Sequence, residues 1–181
     1  MSMIHALWYM LPAYIANPSA VLFKGNIPMD FGKVWRDGKR LLGDGKTWRG
    51  FTGGCLAGMF IGCLQQLISI LFHNPWLPAF SFRFTEFVLV TFLLSFGAMT
   101  GDMVKSFFKR RLGKKRGEKF PLADQYDFVL GAFIFILIPA YDWFRTHMGV
   151  VEVLTIFILT PLLHRGVNIV GYRMGKKKEP W

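Results

Sequence analysis

A chain of 181 residues with 22 Lys and Arg against 11 Asp and Glu has a net charge of +11, which suits a nucleic-acid binder. Its 52% hydrophobic content, gathered into long runs almost free of charge, argues against that reading and against an ordinary soluble domain. Such runs belong in a bilayer, where a helix needs about 20 mostly apolar residues to cross the hydrocarbon.

Five spans are predicted, over residues 3–23, 51–72, 85–105, 124–143 and 150–171. They make one integral membrane domain over residues 1–181, an all-α bundle of five transmembrane helices. No Lys or Arg precedes the first span, which therefore reads as retained rather than as a cleaved signal. Pro12 and Pro18 should bend it, as Pro139 and Pro161 should bend later spans. In the second span Gly54, Gly58 and Gly62 form the small-xxx-small spacing that lets helices approach closely in lipid. Asn17, Gln65 and Gln66 lie at membrane depth and should turn into the bundle to find partners. Cys55 and Cys63 stand about 12 Å apart along one helix, too far for a disulfide, and read as two small buried thiols. The last span is interrupted by His164, Arg165 and Asn168, a polar patch that faces either the site or the headgroups.

The connections alternate in charge. Between the first two spans lie Lys24, Lys33, Arg36, Lys39, Arg40, Lys46 and Arg49; between the third and fourth lie Lys109, Arg110, Arg111, Lys114, Lys115, Arg116 and Lys119; Arg173, Lys176, Lys177 and Lys178 follow the last. The other two connections hold only Arg83 and Arg145. By the positive-inside rule the N-terminus lies outside, the C-terminus is cytoplasmic, and residues 24–50 and 106–123 form two basic cytoplasmic loops. Most of the excess charge is then an orientation signal and an attraction to anionic headgroups, with no nucleic-acid partner. The first loop keeps Phe31, Val34, Trp35, Leu41 and Leu42 among its cations, which predicts a short interfacial helix and then a Gly-rich turn.

Chemistry concentrates where the third and fourth spans meet water. If the third helix continues past Gly101, then Asp102, Lys105, Ser106 and Lys109 share one face. The fourth opens with Asp124 and Asp127, three apart and on one side. Asp124 also suits a helix N-terminus, but Asp127 lies a turn deeper, where an ionised group is costly unless paired or metal-bound. Carboxylates on two helices beside a cluster of cations suit a metal-dependent phosphate site at the bilayer surface. Gly43-Asp44-Gly45-Lys46-Thr47 contains the GKT of a P-loop, yet Arg40 stands where that pattern needs glycine and no strand precedes it. What remains is exposed backbone N–H with Lys46, Thr47 and Arg49 to contact phosphate. Trp48 beside them is placed to anchor at the interface or to stack on a base. The histidines are scattered, and neither a zinc pattern nor a Ser-His-Asp arrangement is present.

The blocks IPMDFGKVWRDGKRLLGDGKTWRGFTGG and GDMVKSFFKRRLGKKRGEKFPLADQYDFVLGA closely resemble the archaeal CDP-archaeol synthases, and the resemblance covers nearly the whole chain. The second block is also similar to a shortened CDP-diacylglycerol synthase signature. A G-D-x-x-x-S-x-x-K-R helix is matched by Gly101, Asp102, Ser106, Lys109 and Arg110, and a later aspartate pair by Asp124 and Asp127. Gln125 replaces the arginine of that signature, and the preceding His-Gly-Gly run is absent. The resemblance implies a multi-pass cell-membrane enzyme, active at the cytoplasmic face. It would transfer a cytidylyl group from CTP to di-O-geranylgeranylglycerol phosphate, an isoprenoid ether lipid, with release of pyrophosphate. Asp102, Asp124 and Asp127 would then hold Mg²⁺. Asp102, Asp127, Lys105 and Lys109 would be catalytic, while Asp44, Lys46, Thr47, Arg49, Ser106 and Arg110 would contact the nucleotide and its phosphates. The alternatives are a CDP-alcohol phosphatidyltransferase, whose D-G-x-x-A-R run is missing, and a small transporter or assembly subunit, whose polar groups should lie near the bilayer midplane.

Overall fold

The computed structural model describes residues 3–114 and 118–175. Lys115, Arg116 and the tail lysines Lys176, Lys177 and Lys178, which contribute to the charge pattern, lie outside them. Six helices follow in order: α1 Met3–Leu22, α2 Trp48–Phe72, α3 Phe84–Arg111, α4 Ala123–Leu137, α5 Tyr141–His147 and α6 Val150–Arg173. The chain is a multi-pass, all-helical membrane protein among its described residues, with two isolated β-bridges and no longer strand. By length and hydropathy α2, α3 and α6 suffice to cross a bilayer, and α4 with α5 qualifies as one bent pair.

Two differences from the five-span reading have clear causes. The expected continuous span over 124–143 breaks after Leu137 and turns by 119° into α5. Pro139 supplies no N–H to continue the helix. α1 is 20 residues long but is diluted by His5, Trp8, Tyr9, Tyr14, Asn17 and two prolines, and is not among the helices apolar enough to qualify alone.

α1 stays helical through Pro12 and α6 through Pro161. Each proline leaves a carbonyl four residues back without its helical donor, which is costly in lipid unless a neighbour replaces it. The Gln65 side-chain amide donates to the Trp8 carbonyl at 2.7 Å, and the Tyr126 hydroxyl donates to the Phe157 carbonyl at 2.9 Å. Gln66 similarly donates to the Ser81 carbonyl (2.7 Å) and accepts from the Phe80 N–H (2.9 Å). Gln65 and Gln66 thus find partners as expected, whereas the Asn17 carbonyl oxygen faces a cavity with no hydrogen bond. Cys55 is buried, but Cys63, expected inside, lies on an exposed face of α2.

The helices are drawn together by glycine. A methyl group at Gly58 would collide with Ser95 Oγ of α3 and the Pro12 carbonyl of α1, and one at Gly62 with Thr91 of α3. The second seam was not anticipated. Gly97 and Gly101 of α3 pack on the backbone of α4 at Gly131, Ala132 and Asp127, so that any Cβ at Gly101 or Gly131 would overlap main-chain atoms. α3, at 28 residues, reaches about 42 Å, longer than the hydrocarbon thickness of about 30 Å.

The expected interfacial helix in the first loop does not form. Residues 24–47 instead make a turn-rich hairpin pinned by the bridges Pro28–Thr47 and Val34–Arg40. Asp30 is its hub, accepting from Arg40 (2.7 and 3.2 Å) and from the N–H groups of Gly32 (3.1 Å), Leu42 (3.0 Å) and Gly43 (2.9 Å). These local bonds compete with helix formation, and Gly32, Gly38 and Gly43 take left-handed backbone that a helix excludes. Burial alone would raise the Asp30 carboxyl, but Arg40 and those N–H groups outweigh it and hold it well below the usual carboxylate range.

Two outcomes follow from these contacts. Gly131→Leu should cost about 1–3 kcal/mol or more through overpacking, read as an earlier thermal unfolding transition in detergent. Asp30 has a depressed pKa, so its contribution is complete above the ordinary carboxyl value of about 3.9 and is lost as pH falls below it toward the folded value. Amide exchange of Leu42 and Gly43, corrected for intrinsic rates, should stay slow from pH 7 to 5 and quicken below about 4. Asp30→Asn should make it fast throughout, through loss of about 1–3 kcal/mol.

Candidate active site

Because α3 continues to Arg111, Asp102, Lys105 and Lys109 follow one another along its projecting end. The Gly101 contact lays that face directly over the start of α4, where Asp124 and Asp127 point back. Lys105 Nζ sits among all three carboxylates, 3.0 Å from Asp102 Oδ1, 3.2 Å from Asp124 Oδ1 and 2.7 Å from Asp127 Oδ2. Lys109 Nζ lies 3.3 Å from Asp124 Oδ1 and donates to the Glu118 carbonyl. From the first loop Lys46 reaches across to pair with the other Asp102 oxygen. Three ammonium groups therefore balance three carboxylates, the pairing that charges removed from water require.

This cluster closes one end of a cavity of about 570 Å³. Gly45, Lys46 and Thr47 flank it, and Lys24 and Glu118 also border it. Apolar lining comes from Leu11, Ile15 and Val21 of α1 and from Leu163 and Val167 of α6. His164 and Asn168 also line the cavity, while Arg165 is exposed outside it.

Of the residues singled out by sequence, Lys46, Thr47, Asp102, Lys105, Lys109, Asp124 and Asp127 meet at this cavity. Thr47 is also the N-cap of α2, its Oγ1 accepting from Gly50 N–H at 3.1 Å. The other four lie elsewhere. Asp44 is exposed and pairs with Arg40 (2.9 Å), and Arg49 is exposed beside Gly25. Ser106 turns back to donate to the Asp102 carbonyl (2.9 Å), and Arg110 donates to the Lys114 carbonyl (2.7 Å) beside Gly43. Trp48 packs toward Phe31 rather than lining the cavity. Sequence reasoning missed Asn17, Lys24 and Tyr14 as wall residues; Asn17, an amide beside a proline at membrane depth, was the readable signal.

The donor set fits a hard divalent cation. Three carboxylates from two helices surround one point, and of buried Asp127 only Oδ2 is met, by Lys105, while Oδ1 has no hydrogen bond. As arranged around the lysine, no group of three or more His, Cys, Asp or Glu among the described residues is spaced for a metal. Direct Mg²⁺ ligation at about 2.0–2.1 Å would need the carboxylates to close inward and the ammonium to withdraw.

A charge cluster sharing a cavity with apolar side chains of the membrane helices suits a lipid-modifying membrane enzyme. Comparison with known proteins agrees. The family model described as CarS-like CDP-archaeol synthase matches residues 1–181. A CDP-archaeol synthase from Methanosphaerula palustris is 50% identical over 172 residues, covering 95% of this chain and all of the relative, and one from Methanosarcina mazei is 46% identical over 175 residues with the same coverage. A solved structure, of an intramembrane enzyme for archaeal membrane lipids biosynthesis, superposes with a TM-score of 0.71 at 36% identity over 93% of this chain and 95% of that one. The chain belongs to the CDP-archaeol synthase family, a family of CTP-dependent transferases.

Lys46 links the first loop to Asp102 of α3 at the cavity, and Arg111 links it further out through Asp37 and the Lys39 and Arg40 carbonyls. Lys46→Met should loosen the hairpin without freeing it, since Arg111 still holds Asp37 and the Lys39 and Arg40 carbonyls, and limited trypsin digestion at Lys33 and Arg36 should accelerate modestly.

Proposed function

We propose that this protein transfers the cytidylyl group of CTP to an isoprenoid glycerol phosphate, giving a CDP-activated ether lipid and pyrophosphate at the cytoplasmic face of the cell membrane. One observation carries the reading: carboxylates and ammonium groups of α3 and α4 gather at a cavity that is also lined by apolar side chains of α1 and α6. A lipid phosphate with its chains along that wall would present its headgroup to the charged end.

The reaction suits these residues. An oxygen of the lipid phosphate attacks the α-phosphorus of CTP, the new P–O bond forms, and the α–β anhydride bond breaks with its electron pair leaving on pyrophosphate. The nucleophile is already an anion, so no general base is required. The barrier lies in bringing two anions into line, which calls for positioning and neutralisation. Lys105 and Lys109 from α3 and Lys46 from the loop supply positive charge at the end where the phosphates would meet. Thr47 and the Gly45 backbone stand beside them for further phosphate contacts. Asp102, Asp124 and Asp127 would hold Mg²⁺, which when bound neutralises phosphate oxygens. Asp44, Arg49, Ser106 and Arg110 act indirectly in this reading, through the loop and the helix end that carry the lysines.

The test is turnover of purified protein in detergent with labelled CTP and a geranylgeranyl glycerol phosphate, with and without Mg²⁺. CDP-lipid should form only with the cation. Asp127→Asn should lower the rate by at least about 100-fold, a loss of roughly 2.7 kcal/mol of transition-state stabilisation. A near-normal rate would remove Asp127 from the mechanism.

A further inference from the structure

Lys105 differs from its two neighbours. Lys46 pairs with Asp102 and Lys109 with Asp124, each at the edge of the cluster, whereas Lys105 alone among the described residues touches all three carboxylates. Its ammonium stands at the point on which the acidic groups converge, and its side chain is 14% exposed. Given the reading above, a divalent cation bound by the same carboxylates needs the same place. Ammonium-to-oxygen contacts of 2.7–3.2 Å and metal-to-oxygen contacts of about 2.0–2.1 Å cannot be satisfied around one point together.

Lysine suits an exchange of this kind. It is a compact point charge on a flexible four-carbon stem, so it can leave without moving backbone. Leaving has a cost, because the ammonium would sit unpaired in a largely buried site unless an anion meets it. Within the cavity the incoming anion is the phosphate chain of the nucleotide.

We propose that Lys105 is the resident counter-ion of the carboxylate cluster: it competes with the divalent cation and yields its place only when a phosphate group arrives to take up its charge. Metal and nucleotide binding are then coupled through one side chain, and by reciprocity each strengthens the other. The apo protein binds divalent cations weakly, and the metal enters together with the nucleotide.

The measurement is Mn²⁺ binding to the full-length protein in detergent, followed by electron paramagnetic resonance, with no nucleotide or lipid present. Lys105→Met should bind Mn²⁺ at least about ten-fold more tightly than wild type. Lys46→Met, which relieves only Asp102, should gain less, and adding Asp127→Asn to Lys105→Met should abolish the gain. Lys105→Gln, uncharged but polar and of similar reach, replaces the Met variant if that one does not fold. Folded Lys105 variants binding Mn²⁺ no better than wild type would overturn the proposal. Since this readout involves no turnover, such a failure is distinct from failure of the cytidylyl-transfer reading, which the labelled-CTP assay reports on its own.

Discussion

Everything at the charged end of the bundle depends on how closely α3 and α4 approach. With no side chain at Gly97, Gly101 or Gly131, the two backbones lie in direct contact. In lipid such contact is stabilised by packing rather than by any hydrophobic drive between helices, so small residues decide where helices cross. The crossing lies within a turn of Asp102 on one helix and of Asp127 on the other. A side chain at that point would part the carboxylates that Lys105 now joins. The site is thus a by-product of a packing choice made in neighbouring residues.

A similar economy governs the polar groups at membrane depth. Pro12 and Pro161 each release a carbonyl, and each is met by a side chain from an adjacent helix, Gln65 or Tyr126. The defect in one helix and the polar residue in another are complementary, and together they fix the rotation of α2 against α1 and of α4 against α6. Hydroxyl contact between Tyr14 and Thr160 (2.8 Å) ties α1 to α6 along the wall of the cavity.

Much of this was legible in the amino-acid order. Apolar runs located the helices, the i, i+3, i+7 spacing of Asp102, Lys105 and Lys109 foretold one face, and the Gly54–Gly58–Gly62 stripe foretold a close contact. Other features were hidden for physical reasons. A cation that binds phosphate and one that braces a loop are the same residue type, so Arg49 and Arg110 looked no different from Lys46. Ser106 shares the face of Asp102 but spends its hydroxyl on its own helix, a choice that spacing does not reveal. The hairpin of the first loop depends on Asp30 gathering donors up to 13 residues away, and this cannot be read from periodicity. Pro139 announced a bend, though not one large enough to end the span.

In the proposed reaction, the balance of three ammonium groups against three carboxylates bears on the release of product. Highly charged products such as pyrophosphate are prone to linger in a basic pocket and throttle throughput. If the proposed reaction holds, each of these lysines has an aspartate at hand, and the ion pairs seen here would re-form as the product departs. On that reading the protein's own charges would help expel the product and restore the pocket.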